Sequence, residues 1–307
     1  MVECAAVLLV FAIVTYTGYR VYHWLTASRF EKWTHLQNKV VLITGASQGI
    51  GRALAFQCHK IGAKLILTAR NEAKLKEVAE QLVLANPDNP NLPSYARLDL
   101  EALENVEQLV KLSPSGYIDV LINNAGIIAY SSCSETSLDV YRKLMQVNYF
   151  GHIQVTMELL AHISQGGTIV ALNSLLGRFT IPYRSAYSAS KHAFTAYFDT
   201  LRAEFAHRVH VLQVYPGYIN TTMGHNALTG AGDRIGHADP NLVSASIDAE
   251  QLASMVVKSL LDREYELYTM DLLQGAGFWG RMLMPRVFFQ SMAARAHKYR
   301  SHRGQGE

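Results

Sequence analysis

A run of five residues, Val40-Val41-Leu42-Ile43-Thr44, empties directly into Gly45-Ala46-Ser47-Gln48-Gly49-Ile50-Gly51. This stretch constrains the fold more than any other. It reads as a strand that stops on glycine and restarts as a helix, and the strand is apolar throughout rather than on alternate residues. The rest of the chain repeats that alternation. Residues 40–44, 64–68, 94–98, 120–123, 168–172, 210–215 and 265–268 read as strands, most of them continuous apolar runs. Helical patterns separate them at 50–61, 72–84, 103–112, 138–162, 187–207 and 249–262. Continuous apolar strands belong to a sheet covered on both faces. Their alternation with helices predicts one parallel, doubly wound sheet, a single-domain α/β fold of the Rossmann type with helices on both sides.

Composition enters at the ends of the chain. Of the 307 residues, 49% are apolar, enough for a large core. The net charge of +3 and the lack of a basic stripe interleaved with aromatics argue against nucleic acid as a partner. Cys4, Cys58 and Cys133 are too far apart for a disulfide framework or a metal site. His225 and His237 are isolated, so they read as loop histidines and no metal is expected. Residues 4–25 are mostly apolar, with Arg20 the only full charge. As a helix, some 22 residues at about 1.5 Å each span about 33 Å, enough for a hydrocarbon core. Tyr16, Tyr19, Tyr22 and Trp24 suit one interface. A cleaved signal peptide is the alternative, but no basic start or small-x-small cleavage site is present.

The expected organisation is therefore a single-pass anchor (1–25), a linker (26–37), the α/β domain (38–270) and a tail (271–307). No Lys or Arg precedes the apolar run, whereas Arg20, Arg29, Lys32 and Lys39 follow it, which places the domain in the cytosol. Asn220-Thr221-Thr222, a glycosylation acceptor sequence in a predicted cofactor loop, agrees with that side. The tail is apolar and aromatic, with Arg281, Arg286, Arg295 and Lys298 interspersed. Such a segment suits a membrane surface, an oligomer face or plain packing against the domain.

Gly45, Gly49 and Gly51 between strand and helix let backbone approach a pyrophosphate, with Ser47, Gln48 and Ile50 supplying the turn and the helix N-terminus favouring the charge. The second strand ends in Ala69-Arg70-Asn71 rather than on an acidic residue. A carboxylate there would hold a ribose 2′-hydroxyl, whereas Arg70 suits a 2′-phosphate. NADP(H) is therefore favoured over NAD(H), with Asn71 beside the same ribose. The competing reading makes Arg70 a solvated charge at a helix start. Asp99, at the end of the third strand, is placed to meet an adenine amino group or to cap its loop.

Sixteen tyrosines and eleven lysines make a chance Tyr-x-x-x-Lys unremarkable in itself. The order of motifs is what carries information. Thr44-Gly45-x-x-x-Gly49-x-Gly51, then Asn123-Asn124-Ala125-Gly126, Asn148, Ser174, Tyr187 with Lys191, and Pro216-Gly217 resemble the short-chain dehydrogenase/reductase family over residues 38–270. Hydroxysteroid dehydrogenases anchored in the endoplasmic reticulum are among the similar groups. The resemblance implies that Tyr187 is the acid or base, that Ser174 polarises a carbonyl, and that Lys191 bonds the nicotinamide ribose. It also implies that Asn148 holds a relay water, that Asn123 ties strands beneath the site, and that Asn124 belongs to the cofactor floor. Pro216, Gly217, Ile219 and Thr221 would cradle the nicotinamide. Physically, a free phenol near pKa ~10 is a poor base at neutral pH, and a cation one turn away is expected to lower it. The chain departs from the common Ser-Ser pair by carrying Asn173-Ser174.

Residues 221–247 form a long loop of the kind that covers sites, and Met223, Leu228, Ile235 and Leu242 give it an apolar lining. The expectation is an endoplasmic reticulum membrane enzyme, possible as a homodimer, acting on a lipid-like or steroid-like ketone. Two alternatives stand beside it: an NAD-linked hydroxysteroid dehydrogenase, and a nucleotide-sensing membrane scaffold without turnover.

Overall fold

The structure is a computed structural model that describes Tyr16, residues 32–236 and residues 247–303. Apart from Tyr16, the expected anchor lies outside the described residues, as do His237 and Leu242.

The strands are β1 (Val40–Thr44), β2 (Lys64–Ala69), β3 (Ser94–Arg97), β4 (Ile118–Asn123), β5 (Ile163–Leu172), β6 (His210–Pro216), the two short strands β7 (Ile219–Asn220) and β8 (Ile247–Asp248), and β9 (Glu266–Thr269). Seven of them form one sheet in the order β3-β2-β1-β4-β5-β6-β9. Every pairing in it is parallel. The chain winds outward one way through β1, β2 and β3, then returns to the other side of β1 with β4. The crevice beyond the C-terminal ends of β1 and β4 is the switch point at which such sheets bind ligands.

The apolar strands are buried on both faces, as their sequence requires. Val41 and Ile43 of β1 point into one core with Leu54, Leu75 and Leu252; Val40 and Leu42 point into the other with Val155, Phe194 and Phe198. The first core is closed by α1 (Gly49–Lys60), α2 (Glu72–Ala85) and α6 (Ala249–Leu261). The second is closed by α4 (Gly151–Leu159) and α5 (Ser185–Glu204).

Two predicted helices differ. Residues 103–112 are not an α-helix; a 3-10 helix, Val106–Leu112, forms instead. Asn105 has φ 51°, in the left-handed region, which no continuous α-helix accommodates. The single helix expected at 138–162 is α3 (Leu138–Met145), a π-helical turn (Gln146–Phe150), α4 and a 3-10 turn (Leu160–His162). The wide turn leads into Gly151, pressed so closely on Leu100 that a Cβ there would lie 2.7 Å from the leucine carbonyl oxygen.

The short strands β7 and β8 pair in parallel and staple together the ends of the predicted covering loop. Beyond β9 come α7 (Leu272–Leu283) and α8 (Pro285–Arg303), packed on each other. Among the described residues no helix is long and apolar enough to cross a membrane, and no cluster of three potential metal ligands occurs.

Candidate active site

The glycine turn is built for close backbone approach. Gly45 has φ +69° and Gly49 φ +56°, both costly for a side chain. A Cβ on Gly51 would lie 2.3 Å from the Gly45 carbonyl oxygen and 2.5 Å from the Asn124 Nδ2. The first turn of α1 holds no acidic residue, and Gln48 makes no side-chain cap. Its N–H groups are thus left to an anion. Thr44 and Asn124 lock the turn to β4. The Thr44 Oγ1 accepts from the Asn124 and Ala125 amides at 2.9 and 3.2 Å, and Asn124 Nδ2 donates to the Thr44 carbonyl at 2.7 Å. Asn124 therefore shapes the floor of the turn. Ser47 and Ile50 flank it half-buried, and Gln48 is exposed.

Thr221 comes in from the far side of the crevice. A Cβ on Gly49 would touch the Thr221 Cγ2 at 3.4 Å, so the loop after β6 closes over the glycine turn. Ile219 sits in β7 just before it, and Pro216 pairs with Thr269 at the end of β6. The Gly217 amide donates to the Thr269 carbonyl at 2.8 Å.

At the outer edge, Arg70 is exposed at the end of β2 with its charge open to solvent. Asn71 serves the neighbouring helix, its Oδ1 capping α2 by accepting from the Lys74 amide at 3.0 Å. Asp99 also serves its own turn, accepting from the Glu101 amide at 3.1 Å, and it lies 3.7 Å from Arg97.

The centre of the crevice holds Ser174, Tyr187 and Lys191. Ser174 ends the β5 segment and starts a 3-10 turn, where its Oγ accepts from the Leu176 amide at 3.2 Å. Its hydroxyl faces the Tyr187 phenol closely enough to favour the ionised form. Lys191 follows one turn later on α5, its Nζ 5.9 Å from the Tyr187 ring centre and donating to the Leu172 carbonyl at 2.9 Å. Tyr187 and Lys191 are buried, at 6% and 3% exposure.

Burial sets their charge. It pushes the Tyr187 phenol up to about 12; the Ser174 hydroxyl pulls the other way, and the nearby Tyr130 raises it further. Burial also brings the Lys191 ammonium down to about 7. The expectation that the lysine acidifies the tyrosine fails in the chain alone. The low-dielectric surroundings penalise both charged forms and outweigh a partner one turn away. Burial thus biases both groups toward their neutral forms in the chain alone.

Asn148 lies in the π-helical turn and is fully buried. Its Oδ1 accepts from the Ile127 amide at 2.8 Å, and its Nδ2 donates to the Ile127 carbonyl at 2.9 Å and to the Ser190 Oγ at 3.0 Å. Ser190 in turn donates to the Tyr187 carbonyl at 2.7 Å. Both amide protons are thus spent on joining the strand-end loop to α5. Asn123 pairs with Ala171 where β4 meets β5, and its side chain also ties β4 to α4, donating to the Thr156 Oγ1 at 3.0 Å. His152 stands beside it, fully buried and held neutral near pKa 3 by desolvation and then by Lys191. Its Nε2 donates to the Ala125 carbonyl at 2.7 Å.

Several supporting residues carry no signal in the sequence. Nothing in the Leu138–Leu159 stretch marks His152 as buried structure rather than surface. The same holds for Thr195 and Gln213, the partners of Asn173. The Asn173 Oδ1 accepts from the Ser174 amide at 2.9 Å, and its Nδ2 donates to the Thr195 Oγ1 at 2.7 Å and toward the Gln213 Oε1 at 3.4 Å. Thr195 donates onward to the Lys191 carbonyl at 3.0 Å. The departure from Ser-Ser is therefore a bridge from the strand of Ser174 to the helix of Tyr187 and Lys191. The covering loop does reach the site: Leu228 is buried in one apolar cluster with Tyr187, Ala129 and Leu144. Met223 and Ile235 are half-buried nearby in sequence.

A parallel seven-stranded sheet, a glycine turn at its switch point and a Ser-Tyr-Lys group facing it define the class, and the family model described as short chain dehydrogenase matches residues 39–231. The chain belongs to the short-chain dehydrogenase/reductase family. It is similar to dehydrogenase/reductase SDR family member 7B of Mus musculus, 39% identical over 277 residues that cover 89% of this chain and 85% of the mouse protein. Among solved structures it resembles the alcohol dehydrogenase of the archaeon Thermococcus sibiricus complexed with 5-hydroxy-NADP. That likeness has TM-score 0.65 and 26% identity, covering 77% of this chain and 97% of the other. A short chain dehydrogenase of Escherichia coli CFT073 complexed with NADPH is alike at TM-score 0.66 and 28% identity, covering 76% and 98%.

Proposed function

We propose that this protein is a membrane-anchored, NADP(H)-dependent carbonyl reductase acting on a lipid-like or steroid-like ketone. The observation that carries the reading is the buried Tyr187–Lys191 pair on one helix with Ser174 beside it after β5, in the same parallel sheet whose β1 ends in the glycine turn. The turn fits a dinucleotide: its glycines leave no room for side chains, and the helix behind it offers uncapped amides. Bound NADPH supplies the hydride. The chain's own residues do the rest.

Ser174 hydrogen-bonds the substrate carbonyl and withdraws charge from its carbon. Tyr187 gives its proton to the carbonyl oxygen as negative charge develops there. Burial keeps the phenol protonated at neutral pH, so it holds the proton that reduction requires. The phenolate left behind is stabilised by Lys191, which has protons to spare beyond its bond to the Leu172 carbonyl. Lys191 also reaches the nicotinamide ribose in this reading, and Asn148 fixes the helix that carries both groups. Pro216, Gly217, Ile219 and Thr221 hold the nicotinamide end; Arg70 takes the 2′-phosphate, with Asn71 and Asp99 toward the adenosine. Leu228 over Tyr187 supports an apolar substrate.

Residues 1–25 supply the anchor, in the endoplasmic reticulum with the domain on the cytosolic side. The relatives named above are dehydrogenases or reductases, two of the solved ones with an NADP-type nucleotide bound, which supports the cofactor assignment. The test is NADPH oxidation with a panel of apolar ketones. Tyr187→Phe should cut turnover by about 10²-fold or more while nucleotide binding, read by tryptophan quenching, is kept. A variant that keeps its rate sinks the acid assignment. Lack of turnover by the wild-type chain across the panel points instead to the non-catalytic scaffold.

A further inference from the structure

The last two helices carry a surface that the fold does not use. No residue of α7 is buried. Eight large apolar side chains between Leu272 and Phe289 are exposed, including Leu272 at 96% and Leu273 at 79%. Leu272, Ala276, Trp279 and Leu283 recur every three or four residues and so share one face of α7. Val287 and Phe289 continue the apolar surface on α8, while Phe278, Phe288 and Met292 turn inward to the cluster with Phe179 and Tyr215. A helix with so much apolar area in water is not holding a core together.

The charge along the two helices is positive, with Asp271, the N-cap of α7, a carboxylate at the edge of the face. From residue 272 to 306 there is no Asp or Glu, against six Lys or Arg, more than the +3 of the whole chain. Arg281 and Arg286 lie on the α7–α8 corner, both exposed, with the Arg281 guanidinium 5.0 Å from the Phe289 ring. A second copy of this chain would bring like charges together across the contact. A nucleic acid would satisfy the cations and leave the leucines wet. An anionic bilayer surface satisfies both.

We propose that α7 and α8 form an interfacial docking hairpin. Its apolar face lies among the upper acyl chains of an anionic bilayer, and Arg281 and Arg286 pair with headgroup phosphates or carboxylates. A groove of about 930 Å³, lined by Met270, Leu272, Leu273, Ala276 and Trp279, opens on this face. The hairpin is wired to the site. A Cβ on Gly217 would lie 2.3 Å from the Gln274 Oε1 of α7, and Gly277 abuts Phe179, five residues after Ser174. Docking therefore sets the mouth of the crevice against the bilayer, so that an apolar ketone enters from lipid rather than from water. The proposal deepens the membrane reading above but does not need residues 1–25 to span.

The test uses the full chain with Trp24→Phe and Trp33→Phe, leaving Trp279 as the one tryptophan of three. It is reconstituted into phosphatidylcholine–phosphatidylserine vesicles in which the acyl chains are brominated near the headgroup or near the tail end. The expected result is a blue-shifted Trp279 emission quenched at least twofold by the shallow bromines and less by the deep ones. Adding Arg281→Glu and Arg286→Glu should remove most of that quenching. Unquenched emission from vesicle-bound protein overturns the docking and leaves the anchor standing. Unquenched emission with a Leu283→Cys variant that cross-links into dimers assigns the face to a second copy, and also overturns it. Quenching in a chain that alkaline extraction releases from the vesicles upholds the docking and removes the anchor.

Discussion

Removing the Asn173 carboxamide should lower both stability and rate, and the two losses can be separated. The side chain joins Ser174, at the end of β5, to Thr195 on α5 at 2.9 and 2.7 Å. In Asn173→Ala the Ser174 amide is left without its acceptor and the Thr195 hydroxyl loses a donor. A buried polar group left unpaired costs about 1–3 kcal/mol, and the small void adds about 1 kcal/mol. The Gln213 contact at 3.4 Å is too long to add much. The expected loss is about 2–4 kcal/mol in urea unfolding, or about 5–15 °C in Tm. The rate should fall by about 10- to 100-fold, because the bridge sets where the Ser174 hydroxyl sits relative to Tyr187. The KM for NADPH should hold, since the glycine turn on β1 is untouched. The deciding assay is a cycle with Ser174→Ala, using NADPH oxidation on the best ketone. If Asn173 acts through Ser174, Asn173→Ala costs little further rate once the hydroxyl is gone. The same fold-loss in both backgrounds would refute the reasoning and reduce the bridge to scaffolding.

Three further outcomes are expected. Arg70→Asp should move the NADPH-to-NADH preference toward NADH by about tenfold or more, since a carboxylate repels a 2′-phosphate and accepts from a ribose hydroxyl; an unchanged kcat/KM ratio removes Arg70 from the cofactor site. Gly51→Ala should abolish nucleotide binding by calorimetry, because its Cβ would lie 2.3 Å from the Gly45 carbonyl oxygen, and normal affinity would show that the turn does not hold the nucleotide. Lys191 gives the free chain a pH signature. Its amine is brought down to about 7, so from pH 7 to about 10 the unfolded chain binds a proton that the folded chain does not, and stability rises with pH. The slope is at most about 1.4 kcal/mol per pH unit. Above pH 10 the Tyr187 phenol, raised to about 12, reverses the trend, because the unfolded chain then binds fewer protons. Urea midpoints between pH 6 and 9 should climb for the native chain and flatten in Lys191→Met; equal slopes would show that burial does not perturb this amine.

Much of this protein is legible without coordinates. Val40–Thr44 and the other central strands are apolar on most residues, as a sheet covered on both faces requires, and the glycines at 45, 49 and 51 mark where it turns. The spacing of Tyr187 and Lys191 places them on one face of α5 by helix geometry alone. These are local properties, carried by neighbours in the chain. What surrounds a group is not local, and tertiary structure decided it. Desolvation from several elements at once set the charge of the Tyr187–Lys191 pair against the sequence expectation. Asn173 met Thr195 only because β5 ends beside α5. Asn105 broke a predicted helix through a left-handed backbone that propensity does not reveal. The apolar pattern of the tail left a membrane surface, an oligomer face and packing on the domain open, and packing shows that Leu272, Trp279 and Leu283 stay exposed. A sequence states which groups are apolar or charged; only the fold determines which of them water can still reach.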